Sequence, residues 1–157
     1  MDNSWFYLRA HDRGFNIVHI VIGSDHRGFE LKTYIISNFG MDSVQFYDAG
    51  CYSHESCDYP EIAKNASNYI SQFSVLICNT GIGMSIAANK LPNLTAALCI
   101  NEEMAYFARK HNNANTLILG SKYITPLLSI QILNEFIQTQ FEGGRHEERI
   151  KKIHCKS

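Results

Sequence analysis

Short apolar runs alternate along this chain with stretches in which apolar side chains return every three or four positions. The runs lie near residues 17–23, 43–48, 74–78, 95–99 and 115–120. The helix-period stretches lie near 28–39, 59–71, 83–90, 101–110 and 125–139. Continuously apolar runs, rather than alternating ones, are what strands show when helices cover both faces of a parallel sheet. The pattern therefore predicts a βαβ rhythm and a doubly wound α/β fold with five parallel strands. Helical phase agrees: Ile62, Ala66, Tyr69 and Ile70 share one face, as do Met104, Phe107, Ala108 and His111, and Ile130, Leu133, Phe136 and Ile137. Asp58, Pro60 and Glu61 have the spacing of a capping box with proline in the first turn. A last short helix is expected over about 146–153, with Glu147 and Glu148 early and Lys151 and Lys152 late, as the helix dipole prefers. Residues 1–15 carry no such pattern and read as an irregular extension before a single domain over 16–157.

Composition narrows the partners. A chain of 157 residues, 45% hydrophobic and 18% charged, is long enough for one domain with its own core. The formal net charge of -1, with no long run of one sign, offers no basic footprint for nucleic acid or an anionic membrane. No apolar stretch approaches the ~20 residues of a membrane span, and the N-terminus lacks the pattern of a secretory signal. Cys51, Cys57, Cys78, Cys99 and Cys155 include no Cys-x-x-Cys, and His54 between Cys51 and Cys57 does not match a usual zinc spacing. A reducing cytoplasm and a small-molecule partner are expected.

In a doubly wound sheet, ligands bind at the carboxyl ends of the strands. The third apolar run ends in Cys78-Asn79-Thr80-Gly81-Ile82-Gly83-Met84-Ser85, a thiol delivered into a glycine-rich turn that opens a helix. Free N–H groups and the dipole at a helix N-terminus favour negative charge, on a bound oxyanion or on a thiolate. Cys78 is thus a candidate base, or else a buried core cysteine. The first run ends in Ser24-Asp25-His26-Arg27-Gly28, where Asp25 is either a ligand contact or a helix cap. His111 ends an apolar stripe and reads as an acid-base group or a core histidine. Arg145 and Arg149 stand four apart after Gly143-Gly144, a clamp for phosphate or a surface pair. Lys122, after the fifth run, is a further donor or a loop charge.

Together these segments, with Asp58-Tyr59-Pro60, His111-Asn112-Asn113-Ala114-Asn115 and Glu142-Gly143-Gly144-Arg145-His146, resemble the type B ribose-5-phosphate isomerase family over about residues 16–153. That family also contains allose-6-phosphate and galactose-6-phosphate isomerases. The resemblance implies a Rossmann-like three-layer α/β/α sandwich, a homodimer or homotetramer with active sites at the subunit interface, and no metal or cofactor. It implies interconversion of ribose 5-phosphate and ribulose 5-phosphate through an enediolate, in the pentose phosphate pathway. By the same resemblance Cys78 is the enediol-forming base with Thr80 beside it, and Asn79, Gly81, Ile82 and Gly83 belong to the loop whose amides hold the oxyanion. His111 opens the sugar ring, Asp25, His26 and Asn112 contact the substrate, Tyr59 borders the pocket, and Arg145 with Arg149 binds phosphate. Two positions depart from the motif: Asn79 stands where glycine is common, and Lys122 where arginine is common.

The chemistry suits these residue types. Removing a proton alpha to a carbonyl needs a base and donors for the developing oxyanion, and a remote phosphate supplies orientation. A six-carbon allose or galactose phosphate would use the same groups. The lactose-pathway isomerase divides its residues between two different chains, whereas this chain carries both Cys78 and His111. A non-catalytic sugar-phosphate-binding module would need neither.

Overall fold

Each apolar run forms a strand and each amphipathic stretch a helix in the computed structural model, which describes residues 17–154. The extension over 1–15 and Cys155 lie outside the described residues. In chain order the elements are β1 (Val18–Ser24), α1 (Phe29–Asn38), β2 (Val44–Asp48), α2 (Tyr59–Ser67), β3 (Phe73–Cys78), α3 (Ile82–Ala88), β4 (Ala96–Leu98), α4 (Glu102–Asn112), β5 (Thr116–Gly120), α5 (Pro126–Gln138) and α6 (Arg145–His154). The strands form one sheet in the order β2-β1-β3-β5-β4, every pair parallel. Leu31 and Ile35 of α1, Ala105 and Ala108 of α4, and Ile132, Leu133 and Phe136 of α5 pack against one face of the sheet. Ile62, Ala63 and Ala66 of α2 and Met84 and Ala88 of α3 pack against the other. The result is the three-layer sandwich expected from the pattern.

Strand order decides where a ligand can enter. The chain leaves β1 for β2 on one side and returns to β3 on the other, so the order reverses between β1 and β3. The crevice beyond the carboxyl ends of these two strands is the topological switch point of the fold. Asp25 N–H donates to Ile77 O at 3.0 Å across that crevice, tying the two strand ends together.

Several local expectations are corrected. Asp58 is the N-cap of α2, but its side chain accepts no capping bond; Pro60 in the first turn starts the helix without it. The helix stops at Ser67, leaving Tyr69 and Ile70 exposed rather than on its buried face. On α4 the small residues Ala105 and Ala108 face the core, while Met104 and Phe107 remain 42% and 41% exposed. The strands are not all buried: β3 and β5 are enclosed along their length, whereas β2 and β4 are half-buried because they are the sheet edges. Lys32 is a buried cation that nothing in the periodicity announces. Its side chain is 1% exposed, and its ammonium donates to both carboxylate oxygens of Asp48 at 2.7 Å and to Cys51 O at 2.6 Å and lies over the rings of Phe29 and Tyr52.

Candidate active site

Cys78 is the last residue of β3, buried to 4%, and its Sγ receives the N–H of Gly81 at 3.2 Å. That contact requires the chain to turn back sharply after Asn79-Thr80, which Gly81 allows by adopting φ +78° as the N-cap of α3. A Cβ at Gly81 would also lie 2.4 Å from Leu98 Cδ1. Thr80 Oγ1 receives the N–H of Ile82 at 3.4 Å, so hydroxyl, thiol and first-turn amides converge on one small volume. Asp25, buried at the end of β1, accepts the N–H groups of Arg27 and Gly28 at 2.9 Å through Oδ1. Asp25 is therefore a turn-former, and its position at the switch point sets it beside Cys78 as well.

Three further expected residues gather at this end of the sheet. His26 Nδ1 lies 3.3 Å from the N–H and 3.4 Å from the carbonyl oxygen of Cys57, which fixes the ring against the chain before α2. Tyr59 covers Gly83: a Cβ there would lie 2.7 Å from the tyrosine ring. Lys122 is held behind the loop, its N–H donating to Asn79 O at 2.9 Å, and with Arg27, Asn79 and Ser121 it lines a groove of about 570 Å³. Ser121 Oγ fastens the loop by donating to Arg27 O at 3.0 Å.

The other expected residues assemble elsewhere. His111, in the last turn of α4, stacks on His146 with ring centroids 4.2 Å apart and an angle of 5°. Phe107 closes over His111 at 4.8 Å. The loop before α6 is pinned by Glu142 N–H to Lys110 O at 2.9 Å, and the Glu142 carboxylate lies 3.7 Å from both Lys110 Nζ and His146 Nε2. Burial, followed by the charges of His111 and Arg145, lowers the pKa of His146 below its ordinary value. Arg145 and Arg149 are exposed, and neither pairs with a carboxylate among the described residues. Asn112 is exposed and donates to Phe107 O at 3.2 Å. His111, Glu142 and His146 could together hold a cation, their ligand atoms lying within 4.8 Å of one another. Lys110 and Arg145, which donates to His146 Nε2 at 3.4 Å, already direct positive charge at those donors, so this cluster suits an anion better than a dication.

One chain does not join these two groups. In the sheet register Ser74 pairs with Thr116 and Cys78 with Gly120, so β5 begins four residues, about 13 Å, before the level of Cys78. α4 runs antiparallel to the strands, and its last turn, carrying His111, comes just before β5 begins. Cys78 and His111 thus stand at opposite ends of the sheet. Between them, along the β4 edge, an apolar groove of about 520 Å³ is lined by Leu98, Met104, Phe107, Ile150 and Ile153 among others. Sequence reasoning included Arg145 but missed its neighbour His146, whose partner His111 lies 35 positions away; only the packing of α6 on α4 brings the rings together.

A doubly wound sheet with a thiol under helix amides at its switch point, and a histidine pair beside two unpaired guanidiniums, defines an α/β protein built to handle a small anionic substrate. The known proteins it resembles agree. The Ribose/Galactose Isomerase family profile matches residues 20–153, and the chain belongs to that family. A putative sugar phosphate isomerase of Rickettsia bellii is 46% identical over 138 residues, 85% of this chain and 96% of that protein. A ribose-5-phosphate isomerase structure from Thermotoga maritima superposes with a TM-score of 0.84 at 45% identity, covering 87% of this chain and 97% of that one. Ribose-5-phosphate isomerase B from Mycoplasma genitalium, solved with bound ribulose-5-phosphate, superposes with a TM-score of 0.81 at 38% identity over 87% and 94% of the two chains.

Proposed function

We propose that this chain is an aldose–ketose isomerase interconverting ribose 5-phosphate and ribulose 5-phosphate, working as a cytoplasmic homodimer in the pentose phosphate pathway, with residues 16–157 as one catalytic domain. Membership in the ribose/galactose isomerase family supports the reaction. The observation that carries the mechanism is the Cys78 thiol facing the Gly81 amide at the switch point. His111 opens the furanose ring, and Cys78 removes the proton from C2 of the open-chain aldose and returns it to C1. Charge moves from carbon to oxygen between these steps, where the amides of the 79–83 loop stabilise it. Preorganised donors of this kind are each worth about 3–4 kcal/mol. Arg145 and Arg149 hold the phosphate, with Asp25, His26, Asn112 and Lys122 contacting the sugar phosphate and Tyr59 walling the pocket.

The same geometry supports a dimer. Cys78 and His111 serve one substrate only if a second copy brings its His111 to the first copy's Cys78. The exposed apolar side chains Ile82, Ile86, Ile100, Met104 and Phe107 give such a copy a surface to cover. A two-fold contact there yields two composite sites per dimer. The reaction is tested by comparing kcat/KM on ribose 5-phosphate with that on allose 6-phosphate and galactose 6-phosphate. Higher efficiency on the five-carbon substrate is expected; a preference for either six-carbon sugar would reassign the substrate within the family.

A further inference from the structure

The buried Lys32 has no part in the proposed chemistry, yet it closes a ring of hydrogen bonds at the end of β1. Its ammonium holds the carboxylate of Asp48, whose Oδ1 also accepts the Gly50 N–H at 2.8 Å. Gly50 O accepts the Ser24 N–H at 2.5 Å, Ser24 O accepts the Cys51 N–H at 2.6 Å, and Cys51 O accepts from Lys32 Nζ at 2.6 Å. Ser24 is the residue before Asp25 and His26. From Cys51 the chain runs through the exposed residues 52–56, which bury too little to hold themselves in place. Lys32 reaches this stretch too: its ammonium lies 5.2 Å from the centroid of the Tyr52 ring, and the Tyr52 hydroxyl donates to Asp48 O at 3.1 Å. The stretch ends at Cys57, whose backbone N–H and carbonyl both face His26 Nδ1, and two residues later at Tyr59, which covers Gly83.

We propose that Lys32 is a positioning residue for the sugar-phosphate site: its ammonium fixes the segment from Asp48 to Cys57 on the end of β1, and through that segment the His26 ring and Tyr59. Stability alone does not call for a cation at this place. Replacing a buried ion pair by apolar side chains of similar volume is often neutral or stabilising. What an apolar side chain lacks is direction. The three donors of the ammonium are matched by three acceptors, the two Asp48 oxygens and Cys51 O, so that one side chain sets the end of β2 and the start of the loop together.

His26 is thereby gripped from two directions. Along the chain it follows Ser24, whose N–H and carbonyl are both taken by Gly50 and Cys51, and across space its ring rests on the Cys57 backbone. Both routes lead back to Lys32. Without the ammonium the core at this point stays filled, but the loop is free to shift, and the His26 ring and the approach to Tyr59 shift with it. The hold on the loop is a property of the fold, whereas its effect on turnover rests on the proposed placement of His26 and Tyr59 at the sugar phosphate.

The test compares the full wild-type chain with Lys32→Met, which keeps a long side chain without its donors, and with Lys32→Met combined with Asp48→Asn. The second variant leaves no lone buried charge, and it carries the test if the single variant fails to fold. KM and kcat for ribose 5-phosphate are measured well below each melting temperature, and the His26 ring resonances, assigned by their loss in His26→Gln, are followed by NMR in the free protein. The expected result in both variants is a KM raised roughly fivefold or more while kcat changes less, with shifted His26 resonances. An unchanged KM in the folded variants, or a fall in kcat at constant KM, would overturn the positioning role. So would a double variant restored to the wild-type KM, since the lone Asp48 carboxylate rather than the lost anchor would then be the cause. A raised KM with unmoved His26 resonances would overturn the route through His26. Absence of turnover in the wild-type protein would count against the isomerase reading, and the His26 resonances would then decide by themselves whether Lys32 holds the loop.

Discussion

His146 sits 6% exposed between His111, Arg145 and Glu142, and an imidazolium there would be both desolvated and repelled. The folded protein therefore favours the neutral ring more than the unfolded chain does, where the ordinary value is 6.5. A lowered folded pKa makes the unfolded state take up more protons in the window below 6.5, so the contribution is fully present above that value and is lost as pH falls through the depressed one. Melting temperature should drop more steeply for the wild type than for His146→Gln between about pH 7.5 and pH 5. Parallel profiles would show that the stacked pair does not titrate as described. The guanidiniums beside it are the proposed phosphate clamp. Arg145→Ala and Arg149→Ala should each weaken substrate binding by about 1.5–3 kcal/mol, on the scale of charged hydrogen bonds, read as a rise in KM and in the inhibition constant of inorganic phosphate. Lysine at either position should recover only part, lacking the planar fork. Unchanged phosphate inhibition in the double alanine variant would move the clamp to Lys122 and His26.

At the scale of elements, the joint between α1 and β2 depends on one ion pair. Lys32 is buried and Asp48 one-third exposed, so removing the carboxylate charge leaves an ammonium in the interior with Cys51 O and two aromatic rings as company. Asp48→Asn should cost about 2 kcal/mol, less than the 3–5 kcal/mol of a fully buried pair because solvent reaches the carboxylate. Urea unfolding midpoints measure it, and a change below about 0.5 kcal/mol would mean the pair contributes nothing. Apolar runs revealed the central strands β3 and β5 most clearly, because a run enclosed by two helix layers has little polar alternation to blur it, whereas the half-buried edge β2 carries Gln45 and Asp48. Lys32 escaped because burial of a charge depends on a partner 16 positions away, which periodicity does not encode. Tyr69, Ile70, Met104 and Phe107 misled for the opposite reason: helical phase marks an apolar face without saying whether this chain or another covers it. The motif residues from Asn79 to Gly83 were legible because a strand end, a turn and a helix start are consecutive in sequence. His146 was not, being brought to His111 by the docking of α6.

For the whole molecule, the parallel register and the antiparallel run of α4 put the proposed base and the proposed ring-opening group at opposite ends of one sheet, which is why the proposed site needs a second copy. Ile82 and Ile86 of α3, Ile100, and Met104 and Phe107 of α4 form an exposed apolar band that the proposed second copy would cover. Cys78→Ala and His111→Ala should each lose at least about a hundredfold in turnover of ribose 5-phosphate while remaining folded, since general acid–base groups contribute about 10²–10⁴. The decisive measurement mixes these two inactive proteins, exchanges their subunits by unfolding and refolding together, and assays the mixture. Random pairing makes about half the molecules mixed dimers, each with one site holding both intact residues, so activity should return to roughly a quarter of the wild-type value. Mixed dimers confirmed by mass that regain no activity would contradict a site shared between two copies.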